Sequence, residues 1–122
     1  MNVSKFLFVG NLTRDTEVRY TGSNPYATIH IAVDQTWKDG SGARQKKTSF
    51  FRLTQFGPAA EHSGRYLGKG SEVYVEGRIE SSAYEKDGET RWSTDFIVER
   101  IDYGKTKKPA GGEESDNESS DA

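Results

Sequence analysis

Alternation of apolar and polar side chains is the clearest signal along this chain. Over residues 27–34, Ala27, Ile29, Ile31 and Val33 fall on one side of an extended segment, and most of the polar residues fall on the other. A period of two residues is typical of a strand with one buried face. Four further segments show strand-like alternation or short apolar runs: 3–9, 47–56, 72–84 and 91–101.

Loop and helix signals separate these five strands. Residues 38–42 and 85–89 have loop composition, and the Asp87-Gly88 pair favours a tight hairpin. Residues 58–67 begin with proline and are followed by glycine, which are typical bounds of a short helix. Three strands, a short helix and a final hairpin form the element order of an OB-fold. We therefore predict an all-β fold, a five-stranded Greek-key barrel with one short helix.

The composition changes after Tyr103, because no aromatic or branched aliphatic residue follows it. Such a segment cannot bury enough apolar surface to order itself. We predict an ordered domain over 1–103 and a disordered tail over 104–122. The tail holds three lysines near its start and five acids in 113–122, so with a net charge of −2 for the chain, residues 1–104 are neutral. A neutral domain can still carry a basic face.

Several classes of protein and site are excluded or disfavoured. The chain has no cysteine, which excludes disulfides, thiolate metal sites and a cysteine nucleophile. No apolar run approaches the ~20 residues of a membrane span, and the start lacks signal-peptide features, so we expect a cytoplasmic protein that does not contact membranes. His30 and His62 stand alone, which predicts no metal and no cofactor. No catalytic motif is present, so we expect no enzymatic activity.

One predicted strand, 47–56, has a mixed aromatic and basic face. Phe50, Arg52 and Phe56 fall on one side together with Thr54, whereas Leu53 points the other way with Phe51, into the core. Rings that stack on bases, combined with cations that neutralise phosphates, are what nonspecific binding to single strands requires. The same row would equally suit a face that packs on the helix or on a second subunit.

Three further large rings lie next to the two loops. Trp37 precedes the loop at 38–42, and Tyr84 precedes the loop at 85–89. Each is either a stacking platform at the rim of the ligand groove or a lid on the barrel. Trp92 follows the second loop, and we predict a structural pairing with Tyr84 across the hairpin.

Short sequence words occur in an order and spacing that resemble the bacterial single-stranded DNA-binding protein family over residues 3–101. They are VGNL at 9–12, EVRY at 17–20, TWKD at 36–39, FG at 56–57 and VYVEG at 73–77. The resemblance implies an OB-fold and a homo-oligomer, usually a tetramer. It also implies binding of single-stranded DNA without sequence preference, in DNA replication, recombination and repair.

The resemblance carries specific roles to matching positions. The stacking positions of the family correspond to Trp37, Phe50, Phe56 and Tyr84, and its phosphate-binding positions to Lys5, Arg19, Arg52 and Lys69. Further candidates for DNA contacts are Lys38, Lys46, Lys47, Arg78, Arg91 and Trp92. Each of these basic residues could instead be an ordinary solvated surface charge.

The chain also departs from the family. Phe50 and Tyr84 are smaller than the tryptophan common there, which predicts weaker stacking. Phe51 stands where the family often has a histidine near the subunit interface, which bears on assembly. The family tail normally ends in an apolar tip that docks replication and repair enzymes, and 118–122 is acidic without such an anchor. The resemblance therefore does not carry that docking to this chain, and suggests a phage-encoded, plasmid-encoded or specialised bacterial member.

The leading hypothesis is a single-stranded DNA-binding protein without enzymatic activity. The alternative is an OB-fold protein-interaction or primosome-accessory module with weak DNA binding. The neutral domain and the smaller rings motivate this alternative.

Overall fold

A computed structural model describes residues 2–110. It contains six strands and one helix, and their order matches the predicted series of strands, helix and hairpin. The elements are β1 (Phe6–Leu12), β2 (Glu17–Thr21), β3 (Asn24–Lys38), β4 (Arg44–Phe56), α1 (Pro58–Tyr66), β5 (Glu72–Lys86) and β6 (Glu89–Tyr103).

Five of the strands close into a barrel. The sheet runs in the order β1-β5-β6-β4-β3-β2, and β1 also pairs with β3 at Asn11 and Leu12. The ring is completed by a short parallel contact between β4 and β6 at Leu53 and Thr54. The prediction of an all-β, five-stranded barrel with one short helix is confirmed.

The short strand β2 was not predicted. It is a five-residue hairpin partner of β3, and Val18 is its only branched aliphatic residue, so it carries little periodic signal. The glycine between β2 and β3, Gly22, has a positive φ and marked the turn. The other strands extend beyond the predicted bounds, except that β1 begins at Phe6 rather than at residue 3, because its ladder with β5 begins there.

The barrel interior holds the apolar faces that alternation predicted. Ile29, Ile31, Leu53, Val73 and Val75 are fully buried. Fully burying a side chain of this size contributes about 1.5–3 kcal/mol. The helix closes on this core through Ala60 and on β2 through Gly64, where a Cβ would collide with the side chain of Val18. The interior is therefore filled by packing, and any ligand must bind outside it.

Two hairpins project from the barrel as arms. The first, the β3–β4 arm, consists of the exposed ends of β3 and β4, and the second, the β5–β6 arm, of the exposed ends of β5 and β6. Asp87 and Gly88 both have positive φ, so the second arm ends in the predicted tight turn.

Residues 104–110, which composition assigned to the tail, lie against the barrel. The N–H of Gly104 donates to the carbonyl of Glu72 (2.8 Å), and the N–H of Lys107 donates to Oγ of Ser71 (2.9 Å). These bonds need main-chain groups and no apolar side chains, so composition does not reveal them. The acidic part of the predicted tail lies outside the described residues. Within residues 2–110, no helix is long and apolar enough to cross a membrane.

Candidate nucleic-acid interface

The outer surface of β2, β3 and β4 brings aromatic and basic side chains into rows. Strand register places Arg19, Tyr26 and Phe56 opposite one another, His30 opposite Arg52, and Ala32 opposite Phe50. Directly paired residues share one side of a sheet. We call this surface the cationic face, formed by Arg19, Tyr26, His30, Phe50, Arg52 and Phe56.

The aromatic rings of the cationic face are open to solvent. Phe50 is 71% exposed and Phe56 is 57% exposed, whereas Leu53 between them is fully buried. Tyr26 lies beside Phe56, with 6.4 Å between ring centroids. The predicted alternation of β4 is therefore present, with Leu53 and Phe51 directed inward. Phe51 stacks on Phe8 at 4.1 Å, so its ring packs inside the barrel.

Tyr84 lies on the same side as the cationic face. The β4–β6 ladder pairs Thr54 with Ile97, and the β5–β6 ladder then places Tyr84 opposite Arg91 on the side that Ile97 occupies. Three of the four predicted stacking residues, Phe50, Phe56 and Tyr84, thus face outward on one continuous surface of the barrel and its second arm.

Trp37 does not share this surface. It pairs with Gln45, one residue out of phase with Phe50 and Arg52, so it lies on the other side of the β3–β4 arm. It is about half-exposed there, beyond the packed barrel. A strand that touched both Trp37 and Phe50 would have to pass around the arm.

The predicted pairing of Trp92 with Tyr84 is wrong. The two-residue turn at Asp87-Gly88 fixes the register, so Ala83 pairs with Trp92 and Tyr84 pairs with Arg91. A shift of one residue puts a side chain on the opposite face of a strand. Trp92 is 70% exposed, so the protomer itself gives it no packing role of the kind we predicted.

The tip of the β3–β4 arm is organised by one carboxylate. Oδ1 of Asp39 accepts hydrogen bonds from the hydroxyl and N–H of Ser41 and from the N–H of Ala43, and Oδ2 accepts one from Gln45. The bond from the Ser41 hydroxyl is the main reason that the pKa of Asp39 lies below its usual value. These hydrogen bonds fix the tip of the hairpin whose strands carry three of the predicted basic residues, Lys38, Lys46 and Lys47.

The basic candidates differ in how far their charge is already satisfied. Lys5 pairs with Glu76 at 2.6 Å, and Arg78 pairs with both Glu80 (2.7 Å) and Glu99 (3.2 Å). Weaker pairs join Arg91 to Glu89 and Lys46 to Asp34. Among residues 2–110, no carboxylate lies within ion-pairing distance of the other candidates, which are Arg19, Lys38, Lys47, Arg52 and Lys69.

Sequence reasoning missed a cavity of about 440 Å³ at the edge of the cationic face. It is lined by Thr13, Arg14, His30, Ile31, Phe50, Phe51 and Arg52. Burial lowers the pKa of His30, and the nearby guanidiniums of Arg14 and Arg52 lower it further, with Glu17 acting in the opposite direction. The period of two in β3 correctly predicted that His30 lies on the polar side of the strand, but no sequence signal indicated that Arg14 would lie near it. In the part of the chain that the structure describes, no cluster of three or more potential metal ligands occurs.

A sequence model of the single-strand binding protein family matches residues 3–103. The chain belongs to this family. It is 37% identical over 103 residues to the single-stranded DNA-binding protein of Neisseria meningitidis serogroup A, which covers 83% of this chain and 59% of that protein. The resemblance found in the sequence is thereby confirmed.

Solved structures of similar proteins have the same fold. The wild-type single-stranded DNA-binding protein of Thermus aquaticus matches with a TM-score of 0.74 and 30% identity, over 84% of this chain and 50% of that chain. The small single-stranded DNA-binding protein of Streptomyces coelicolor matches with a TM-score of 0.68 and 25% identity, over 85% and 96% of the two chains. This chain thus spans about half the length of the Thermus protein.

Proposed function

We propose that this protein binds single-stranded DNA without sequence preference, along the cationic face and over the two arms. The observation that carries the proposal is the exposure of Phe50 and Phe56 on either side of Arg52, a cation with no ion pair among the described residues. An isolated folded chain gains nothing from holding two large rings in water. Membership of the single-strand binding protein family supports the same reading.

Binding would rest on stacking and charge neutralisation. Every base has a π face, so the phenylalanine rings can stack on any sequence, and each stacked base contributes about 1–3 kcal/mol. Arg19, Arg52 and Lys69, which have no ion pair within residues 2–110, would contact phosphates. No step of this requires catalysis. Coverage of the strand would keep it from pairing and from nucleases during replication, recombination and repair, in the cytoplasm of a bacterial cell.

The proposal is tested by titration with fluorescently labelled oligo-dT at low and high salt. We expect saturable binding whose logarithm falls by about 0.7 per log unit of salt for each phosphate neutralised. Stacking should leave part of the affinity at high salt. Absence of binding at low salt would contradict the proposal and favour a protein-interaction module.

Tryptophan fluorescence then locates the strand. Trp37 and Trp92 lie away from the cationic face, so quenching reports DNA that passes around the arms. Single Trp37→Phe and Trp92→Phe variants assign the signal to one arm. If oligo-dT binds and quenches neither tryptophan, the strand does not reach the arms and that part of the proposal fails.

We further propose that the protein is a homo-oligomer, with a tetramer as the expected state. The outer surface of β1, β5 and β6 carries Leu7 and Val9, which are both more than half exposed. Polar and ionic side chains surround them, and we call the whole the ion-paired face, formed by Lys5, Leu7, Val9, Tyr74, Glu76, Arg78 and Arg100. Arg78 lies at its border, on the same side of β5 as Tyr84. An apolar centre with a polar rim is the anatomy of a protein interface.

Light scattering of the protein and of a Leu7→Glu, Val9→Glu double variant tests this assembly. We expect a tetramer mass for the unmodified protein and a smaller mass for the variant, since two buried carboxylates without partners oppose association. Circular dichroism should show that the variant remains folded. A tetramer that survives both substitutions would exclude the ion-paired face as an interface.

A further inference from the structure

The cavity beside Phe50 has the chemistry of an anion site. Arg14 reaches it from the loop between β1 and β2, His30 from β3 and Arg52 from β4. Within residues 2–110, neither guanidinium has a carboxylate within ion-pairing distance. Two unpaired guanidiniums at one cavity favour a ligand that carries negative charge.

His30 is the unexplained group at this cavity. Its Nδ1 atom is buried and has no hydrogen-bond partner among the described residues. Buried polar atoms in proteins nearly always have a partner, so such an atom asks for an explanation. The charged groups that act on the ring are Arg14 from the loop, Glu17 from β2 and Arg52 from β4. Burial, together with two cations against one carboxylate, lowers the pKa of the ring and so favours its neutral form in the unbound protein.

An anion in the cavity would reverse this balance. A phosphate between the guanidiniums would offset their charge and place acceptor oxygens beside the imidazole. Opposite charge and hydrogen bonding both favour the protonated ring. The ring of Phe50, which lines the cavity and is largely exposed, would at the same time offer a stacking surface to the attached base.

We propose that this cavity binds a backbone phosphate of single-stranded DNA and that His30 takes up a proton when the phosphate binds. The inference rests on the proposed function and adds a site and a regulation to it. Because the bound state holds one more proton than the unbound state, affinity rises as pH falls. The change is at most about tenfold per pH unit, between the pKa of His30 in the unbound protein and its pKa in the complex.

The experiment measures the affinity for labelled oligo-dT between about pH 5 and pH 8 at constant ionic strength. We compare the unmodified protein with His30→Ser and with His62→Asn. His62 lies on α1 beside Tyr103 and serves as the matched control. We expect a pH-dependent affinity for the unmodified protein and for His62→Asn, and a nearly flat profile for His30→Ser.

The outcomes separate the two levels of the proposal. If oligo-dT does not bind at any pH, the proposed function itself fails. If it binds and His30→Ser keeps the full pH dependence, DNA binding stands and the site assigned to His30 is overturned. NMR titration of His30 in the unmodified protein, free and with oligo-dT, gives the answer without a variant: the pKa should rise on binding, and an unchanged pKa would overturn the inference.

Arg14 supplies a second readout. Arg14→Gln should reduce the salt dependence of binding by about 0.7 log units per log unit of salt, the loss of one phosphate contact. Arg65→Gln on α1 is the matched control and should leave the slope unchanged. Equal slopes for both variants would remove Arg14 from the site.

Discussion

The cationic face and the ion-paired face carry basic side chains on the same barrel, but they differ in what surrounds each charge. Arg19 and Arg52 have no ion pair within residues 2–110, whereas Lys5, Arg78 and Arg100 each have carboxylate partners. A cation that is already paired gains less from a phosphate, because the existing pair must first be broken. The position of the carboxylates therefore distinguishes the two faces better than the number of basic side chains does.

The aromatic residues show the same division. On the cationic face, Phe50 and Phe56 are exposed and flank Arg52, which has no ion pair within residues 2–110. On the ion-paired face, Tyr74 donates a hydrogen bond to Glu76 and lies beneath Arg100, whose guanidinium carbon is 5.8 Å from the ring centroid. Its ring and hydroxyl are both engaged. This difference is the basis of our two proposals, which assign one face to a ligand that brings charge and π surfaces and the other to a second copy of the chain.

Removal of the two exposed rings of the cationic face should produce the largest loss of affinity for oligo-dT. Phe50→Ala with Phe56→Ala should weaken oligo-dT binding by about 1–3 kcal/mol for each base that loses its stacking partner. Folding should change little, because both rings are largely in solvent. Affinity is measured by fluorescence anisotropy and stability by thermal unfolding.

Tyr66→Ala is the matched aromatic control, since this exposed ring lies on α1 away from the β2–β4 rows. It should leave affinity unchanged. If the double variant binds as tightly as the control, the rings of the cationic face do not stack on DNA, and the comparison between the two faces loses its basis.

Single cations should give a smaller and more diagnostic difference. Arg52→Gln should lower the salt slope of binding by about 0.7, as expected for one lost phosphate contact on a single strand. Arg78→Gln should leave it unchanged, because Glu80 and Glu99 already hold that guanidinium. Affinity is measured over a series of salt concentrations for the two variants in parallel.

The carboxylates offer a converse test. Glu80→Gln with Glu99→Gln releases Arg78 and should raise the salt slope, if pairing alone keeps this arginine from DNA. An unchanged slope would mean that Arg78 lies outside the path of the strand. Its location, and not its ion pairs, would then be the reason that it does not contact DNA.

The sequence predicted the barrel well because the period of two in β3 and β5 follows directly from a buried interior. It placed Phe50, Arg52 and Phe56 together for the same reason. It did not predict the short β2, which brings Arg19 into line with Tyr26, nor the cavity that joins Arg14 to His30. These depend on contacts between segments that are distant in sequence. The pairing of Trp92 was wrong by one residue, although the predicted Asp87-Gly88 turn was correct and counting outward from it places Tyr84 opposite Arg91.

The smallest effect we predict is a loss of thermal stability in acid, caused by protonation of a carboxylate on the ion-paired face. Glu76 accepts hydrogen bonds from Lys5 and from Tyr74, and the bond from Lys5 is the main reason that its pKa lies below the usual 4.5. A carboxyl whose pKa is depressed by folding stabilises the folded state above its unfolded pKa, and that contribution is lost as pH falls through the folded pKa.

Thermal stability should therefore decline below about pH 4.5 in the unmodified protein, and less steeply in Glu76→Gln. Oligo-dT affinity at neutral pH should be equal in both if Lys5, which the substitution releases from its ion pair, lies outside the path of the strand. A Glu76→Gln variant with unchanged acid sensitivity would show that the pair with Lys5 is too solvent-exposed to contribute, as surface pairs often are.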